Sequence, residues 1–183
     1  MSELRTNRIV PRNGMPSGAS GGGIIQVVTN QITSIQTLSL LQAWQPSLIT
    51  CSITPQAATN KVLVNMFGYG EGNADPHHFA YRVKKVIGAD TTYIRGAAAG
   101  TRSLILGYTG DKTVNSTTSP NSFGFNNYLD SPSTTSAVTY TVEFTYQNAA
   151  GNGTFYLNRS VNDNDAAADE RGMSWMTLME VSA

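Results

Sequence analysis

Between residues 138 and 146 apolar and polar side chains alternate without a break. Val138, Tyr140, Val142, Phe144 and Tyr146 interleave with Thr139, Thr141, Glu143 and Thr145. A period of two over nine residues fits a strand with one dry face and no helix. The same texture recurs along the chain. Ile24 to Thr29, Ser47 to Thr54, Lys61 to Gly68, Phe79 to Ile87, Thr91 to Arg95, Ser103 to Gly107, Thr154 to Arg159 and Met173 to Val181 all read as short strands, set apart by Pro, Gly, Asn and Asp. Phe79–Ile87 and Thr91–Arg95 are expected to pair around Gly88-Ala89-Asp90, and residues 138–146 and 154–159 to form a hairpin around residues 149–153. In the last strand Met173, Trp175, Met179 and Val181 share one face and Met176 and Leu178 the other, so cover on both sides is expected. Residues 32–44, with Ile32, Ile35, Leu38, Leu41 and Trp44 at intervals of three, suit helix or strand equally. Strands without intervening helices imply an all-β, jelly-roll-like sandwich.

Residues 1–23 differ from the rest. They carry Arg5, Arg8 and Arg12 out of 12 basic residues, Pro11 and Pro16, and end in a glycine run. Such a stretch cannot bury enough apolar surface to fold alone. Its apolar residues Leu4, Ile9 and Val10 point instead to a docking peptide that orders on a partner, by strand addition or in a groove. The expected organisation is an extended anchoring arm, 1–23, and a β-domain, 24–183, with Leu4, Arg5, Arg8, Ile9, Val10, Pro11 and Arg12 as anchor residues.

Charged residues make up only 13% of the chain and the formal net charge is +0. That balance predicts no attraction to nucleic acid or to an acidic membrane. It also leaves a lone monomer with little colloidal protection, so partners are expected to cover part of the surface. No run of about 20 apolar residues suggests a membrane span, and the start lacks the apolar core of a signal peptide. The sequons at Asn115, Asn152 and Asn158 carry no weight without a secretory route. The single cysteine, Cys51, lies in an apolar stretch and reads as a small buried residue.

Motifs for chemistry are sparse. Asp75-Pro76-His77-His78 brings both histidines together, but a zinc site needs a third ligand from elsewhere. Asp163, Asp165, Asp169 and Glu170 resemble a calcium loop in composition, yet the sixth position is Ala168 and the twelfth Ser174, which breaks the EF-hand pattern. Gly68-Tyr69-Gly70-Glu71-Gly72 lacks the Lys-Ser/Thr of a phosphate loop and reads as a mobile loop. No metal, cofactor or catalytic residue is expected. Gly70–His78 and Asp111–Asn127 read as exposed loops. Tyr69, His77, His78, Tyr108, Phe123, Phe125 and Tyr128 lie in or beside them and are candidates for surface recognition, stacking on sugar rings.

Six phrases run in order along the chain: Arg5-Thr6-Asn7-Arg8-Ile9-Val10-Pro11-Arg12-Asn13-Gly14, Gly22-Gly23-Ile24-Ile25-Gln26-Val27-Val28, Ser52-Ile53-Thr54-Pro55 with Asn60-Lys61-Val62-Leu63-Val64, Leu129-Asp130-Ser131-Pro132 before Thr139-Tyr140-Thr141-Val142, Leu157-Asn158-Arg159-Ser160, and Thr177-Leu178-Met179-Glu180-Val181. Together they resemble short bacteriophage virion proteins of the tail-fibre, head-fibre and decoration kind. The resemblance implies a jelly-roll-like domain that trimerises, an N-terminal peptide that plugs into the particle, and no catalysis. The chain lacks the shaft of longer members, so a knob on the capsid suits it as well as a receptor-reaching fibre. The alternative reading is a tail-fibre adhesin that recognises host surface glycans.

Overall fold

Nearly every apolar alternation in the sequence becomes a strand of one of two antiparallel sheets. The computed structural model describes residues 23–74, 78–110, 118, 120–148 and 151–183. Its strands are β1 (Ile24–Ile32), β2 (Gln36–Leu40), β3 (Gln45–Ile53), β4 (Lys61–Gly72), β5 (Phe79–Ile87), β6 (Asp90–Ile94), β7 (Gly107–Tyr108), β8 (Asn121–Asp130), β9 (Val138–Tyr146), β10 (Gly153–Leu157) and β11 (Ser174–Val181). One sheet runs β1-β11-β4-β10-β2, with β8 on β4; the other runs β3-β9-β5-β6, with β7 on β5.

The registers reduce these pieces to eight strand positions. Gly70 of β4 pairs with both Asn121 of β8 and Leu157 of β10. Those two strands therefore flank β4, and β10 lies on the same side as β11. Beyond them, β2 pairs with β10 and β1 with β11. Hence β10 and β11 are one strand interrupted by residues 158–173, and β1 and β2 are one strand interrupted at 33–35. On β5, β6 and β7 likewise share one side. The chain alternates between sheets at successive positions except from β5 to β6, which is jelly-roll order. The fold is all-β. Residues 32–44 resolve as the last residue of β1, the strand β2 and short connections on either side of it.

The core lies between the sheets. Ile49, Cys51, Ile53, Val138, Tyr140, Val142, Phe144, Phe79 and Val83 face Val62, Val64, Met66, Phe155, Leu157, Met176 and Leu178, all buried. At one end six rings crowd together. Phe144 stacks on Phe155 at 4.8 Å between centroids, and Phe123 meets Phe144 edge-on at 5.5 Å. The glycines of β4 make room for this cluster. A Cβ at Gly68 would enter the Phe123 ring, and one at Gly72 the Phe79 ring. The glycine-rich stretch 68–72 is thus the end of a strand, shaped by close packing, and not a mobile loop.

Four further expectations are corrected. β9 and β10 lie in different sheets, so they make no hairpin. Ser103 to Gly107 contributes only the two-residue β7; before it the backbone follows β5 irregularly, with Leu106 N–H donating to Tyr81 O at 2.8 Å. The stretch ending at Asn127 was expected as loop, but from Asn121 it is the strand β8. On β11 only the even positions are buried; Trp175, Thr177, Met179 and Val181 are half-buried. The expected pairing of residues 79–87 with 91–95 is found, with Ile87 opposite Asp90.

Candidate interaction surface

The two outer faces of the sandwich differ in chemistry. On the five-stranded sheet the outward side chains bond to one another. Thr50 Oγ1 lies 2.8 Å from Thr141 Oγ1, and Ser52 Oγ 2.8 Å from Thr139 Oγ1. Arg82 pairs with Glu143 at 2.7 Å, with its guanidinium 4.2 Å from the Trp44 ring centre and 3.8 Å from that of Tyr93. This face is polar and largely bonded within itself.

The other sheet presents apolar groups. Register aligns Val27 with Met179, Met179 with Leu63, and Leu63 with Leu129, a single row across β1, β11, β4 and β8. Val27 and Leu129 at its two ends are 56% and 54% exposed. Ile24 continues the apolar surface beside Val181. One row further, Thr29 and Thr177 hydroxyls bond at 3.1 Å. Next, Trp175 and Phe67 stack with centroids 4.1 Å apart and planes 13° apart. That spacing is close to the separation of neighbouring strands, so the rings stand side by side on edge. Opposite Phe67 on β8 is Gly124. A Cβ there would strike the Met66 carbonyl, so the position stays bare. The result is a groove of about 330 Å³ lined by Met66, Phe67, Ser122, Phe123, Gly124, Asn126 and Trp175.

Buried acidic groups are each tied to donors. Asp130 accepts from Lys85 Nζ at 3.0 Å and from the Tyr140 hydroxyl at 2.7 Å. Burial, then this bond to Asp130, raises the Tyr140 phenol well above its ordinary range. Glu180 accepts from the Gln56 N–H at 2.7 Å and Asn60 Nδ2 at 2.6 Å. Gln26, with its amide nitrogen facing inward, donates to the other Glu180 oxygen at 3.1 Å. Burial raises the Cys51 thiol, which lies 3.8 Å from Val28 O.

The excursion 158–173 is held at its root by Asn158. Asn158 Nδ2 donates to Ile32 O at 2.8 Å and Ser34 O at 2.9 Å, so the break in one strand is fastened to the break in its neighbour. The acidic residues further along bond within the excursion and to β4. Asp163 pairs with Arg171, Asp169 accepts from the Asn164 N–H, and Glu170 accepts from the Tyr69 hydroxyl at 3.2 Å. Among the described residues no group of three His, Cys, Asp or Glu is placed to hold a metal.

The candidate recognition residues do not form one surface. Phe123, expected on an exposed loop, is 7% exposed and packs against Tyr81, Phe144 and Phe155; its strand turns it inward over Gly68. Phe125 is half-buried on β8 and packs against the core. Tyr69 is half-buried on β4, its phenol pushed up to about 12 by burial and by Glu170. His78 meets Tyr146 edge-on at 5.4 Å. Tyr108 and Tyr128 are exposed, on β7 and β8. His77 and the anchor residues Leu4, Arg5, Arg8, Ile9, Val10, Pro11 and Arg12 lie outside the described residues. The apolar row was not found by sequence reasoning, because its members lie in four distant stretches.

No protein-family model and no curated protein matches the chain. Solved structures similar to it are of infectious bursal disease virus. The Gx strain structure has a TM-score of 0.41 and 10% identity, covering 98% of this chain and 42% of that one. The VP2 subviral particle has a TM-score of 0.37 and 8% identity, covering 93% and 46%. The chain spans less than half the length of these proteins. No helix among the described residues is long and apolar enough to cross a membrane.

Proposed function

We propose that this chain is a non-enzymatic structural protein of a bacteriophage virion, a homotrimeric fibre knob or capsid decoration protein docked through residues 1–23. The observation that carries this reading is how the chain enters the sandwich. Gly23 O accepts from Ser182 N–H at 3.0 Å, and β1 then pairs with β11 from Ile24 to Ile32. A pull along the axis of β1 therefore loads a whole ladder in shear rather than one bond. That is a sound root for an anchoring peptide. The non-enzymatic part is supported by Asp130, Glu143 and Glu180, whose oxygens are spent on internal donors.

The test is deletion of residues 1–20. The shortened chain folds and assembles as before but no longer binds the phage particle. A chain that fails to fold, or still binds, overturns the anchor. Gold-labelled antibody on intact phage then separates head from tail, and absence of label with an accessible epitope ends the virion reading.

Tail attachment would favour the adhesin reading, for which the exposed rings of Tyr108 and Tyr128 speak. It requires binding of the isolated protein to host cells, lost in Tyr108→Ala or Tyr128→Ala.

A further inference from the structure

We infer that the outer face of the β1-β11-β4-β8 sheet is where a second copy of this chain packs, the β1 side of one copy against the β8 side of the next. The inference rests on the oligomeric reading above and gives that assembly its contact surface.

Charge is the first argument. Among the described residues at the outward positions of these paired rows, Lys61 is the only charged side chain, and its Nζ is bonded to Ser131 Oγ at 2.9 Å. With a single cation on the whole face, an identical face meets little of the like-charge repulsion that is the usual obstacle to self-association.

Shape is the second. The face carries a projection and a recess of matching chemistry. Val27 and Leu129 stand out at its two edges, while the groove over Gly124 lies between Phe67 and β8. Its 330 Å³ is ample for an aliphatic side chain, and the aromatic wall of Phe67 suits one. A surface with both features is complementary to itself. Because the β1 edge and the β8 edge differ, the contact they make is head-to-tail, the kind that closes into a ring about a rotation axis.

Extent is the third. Four strands about 4.8 Å apart and seven or so residues long cover roughly 20 Å by 25 Å in plan. In a ring each copy gives the β1 half of this face to one neighbour and the β8 half to the other, so with side-chain relief its two contacts together approach the ~800 Å² that one partner gives to a standard interface. The opposite sheet lacks these features; its outward groups bond to each other, as Thr50 to Thr141 and Arg82 to Glu143.

The test is the oligomeric state of the full chain by sedimentation velocity, wild type against the double variant Val27→Asp, Leu129→Asp. Both sites are more than half exposed, so the fold is kept, as circular dichroism checks. The wild type sediments as a trimer and the variant as a monomer with at least a hundredfold weaker association. A wild-type trimer with an equally trimeric variant overturns this interface and leaves the virion reading standing. A monomeric wild type overturns the homo-oligomer itself, and with it this inference.

Should the variant misfold, maleimide labelling decides. Leu129→Cys is expected to react at least tenfold more slowly than Tyr108→Cys in the assembled protein. Equal rates in an intact oligomer overturn the proposal.

Discussion

The hydroxyl of Ser174 donates to the side-chain oxygen of Asn158 at 2.6 Å, closing the base of a sixteen-residue excursion whose two ends resume one strand. Asn158 is fully buried and its backbone has φ 62°, a left-handed conformation that asparagine tolerates better than most residues. It thus satisfies the freed carbonyls of Ile32 and Ser34 while turning the chain outward.

Asn158→Ala is expected to cost about 2–4 kcal/mol, since the buried Ile32 carbonyl and the partly buried Ser34 carbonyl lose their donor and alanine strains the backbone. Thermal melting should fall by roughly 5–15 °C. Asn158→Gly, which relieves the strain but not the lost bonds, should fall less. Equal melting of Ala and Gly variants would show that backbone conformation has no part.

Gly68→Ala places a methyl where the Phe123 ring lies. A loss of about 1–3 kcal/mol is expected in denaturant unfolding. Phe123→Leu beside it should give back part of that loss, a coupling of at least about 0.5 kcal/mol in a double-mutant cycle. Strictly additive losses would mean that the ring moves away freely.

Arg82 and Glu143 form a pair only 8% and 6% exposed. Arg82→Met leaves a buried carboxylate without its cation and should destabilise by about 3–5 kcal/mol. Adding Glu143→Leu should recover most of this, because replacing both partners removes the unpaired charge. A double variant no better than the single one would refute the account.

The Tyr69 phenol is pushed up to about 12 and that of Tyr140 is also raised, whereas both ionise near pH 10 in an unfolded chain. The fold favours their neutral forms. Their contribution to stability is therefore complete below about pH 10 and is lost as pH rises towards 12 and beyond. Unfolding followed against alkaline pH should show the loss, and Tyr69→Phe should make it shallower. Stability constant between pH 10 and 12 would contradict the burial of these rings.

Strict alternation is legible in the sequence, as residues 138–146 show, because packing one face of a pleated chain against the core leaves a local mark. β8 was not. Gly124 and the Asn126-Asn127 pair look like turn residues, yet Gly124 is required by the Met66 carbonyl and Asn127 sits at φ 63° beside the register shift in β8. Adjacency misled for β9 and β10, since neighbours in sequence here belong to different sheets. The candidate surface was invisible for the same reason. Val27, Leu63, Leu129 and Met179 share no local period, and only pairing registers put them in line.

The split strand has a consequence for change over time. Because β10 and β11 both keep to β4 and both halves are gripped at Asn158 and Ser174, the exposed tip of the excursion, residues 163–168, is relieved of any duty to the sheet's alignment. Insertions, deletions or exchange at that tip can rewrite this part of the surface while the frame beneath is inherited unchanged.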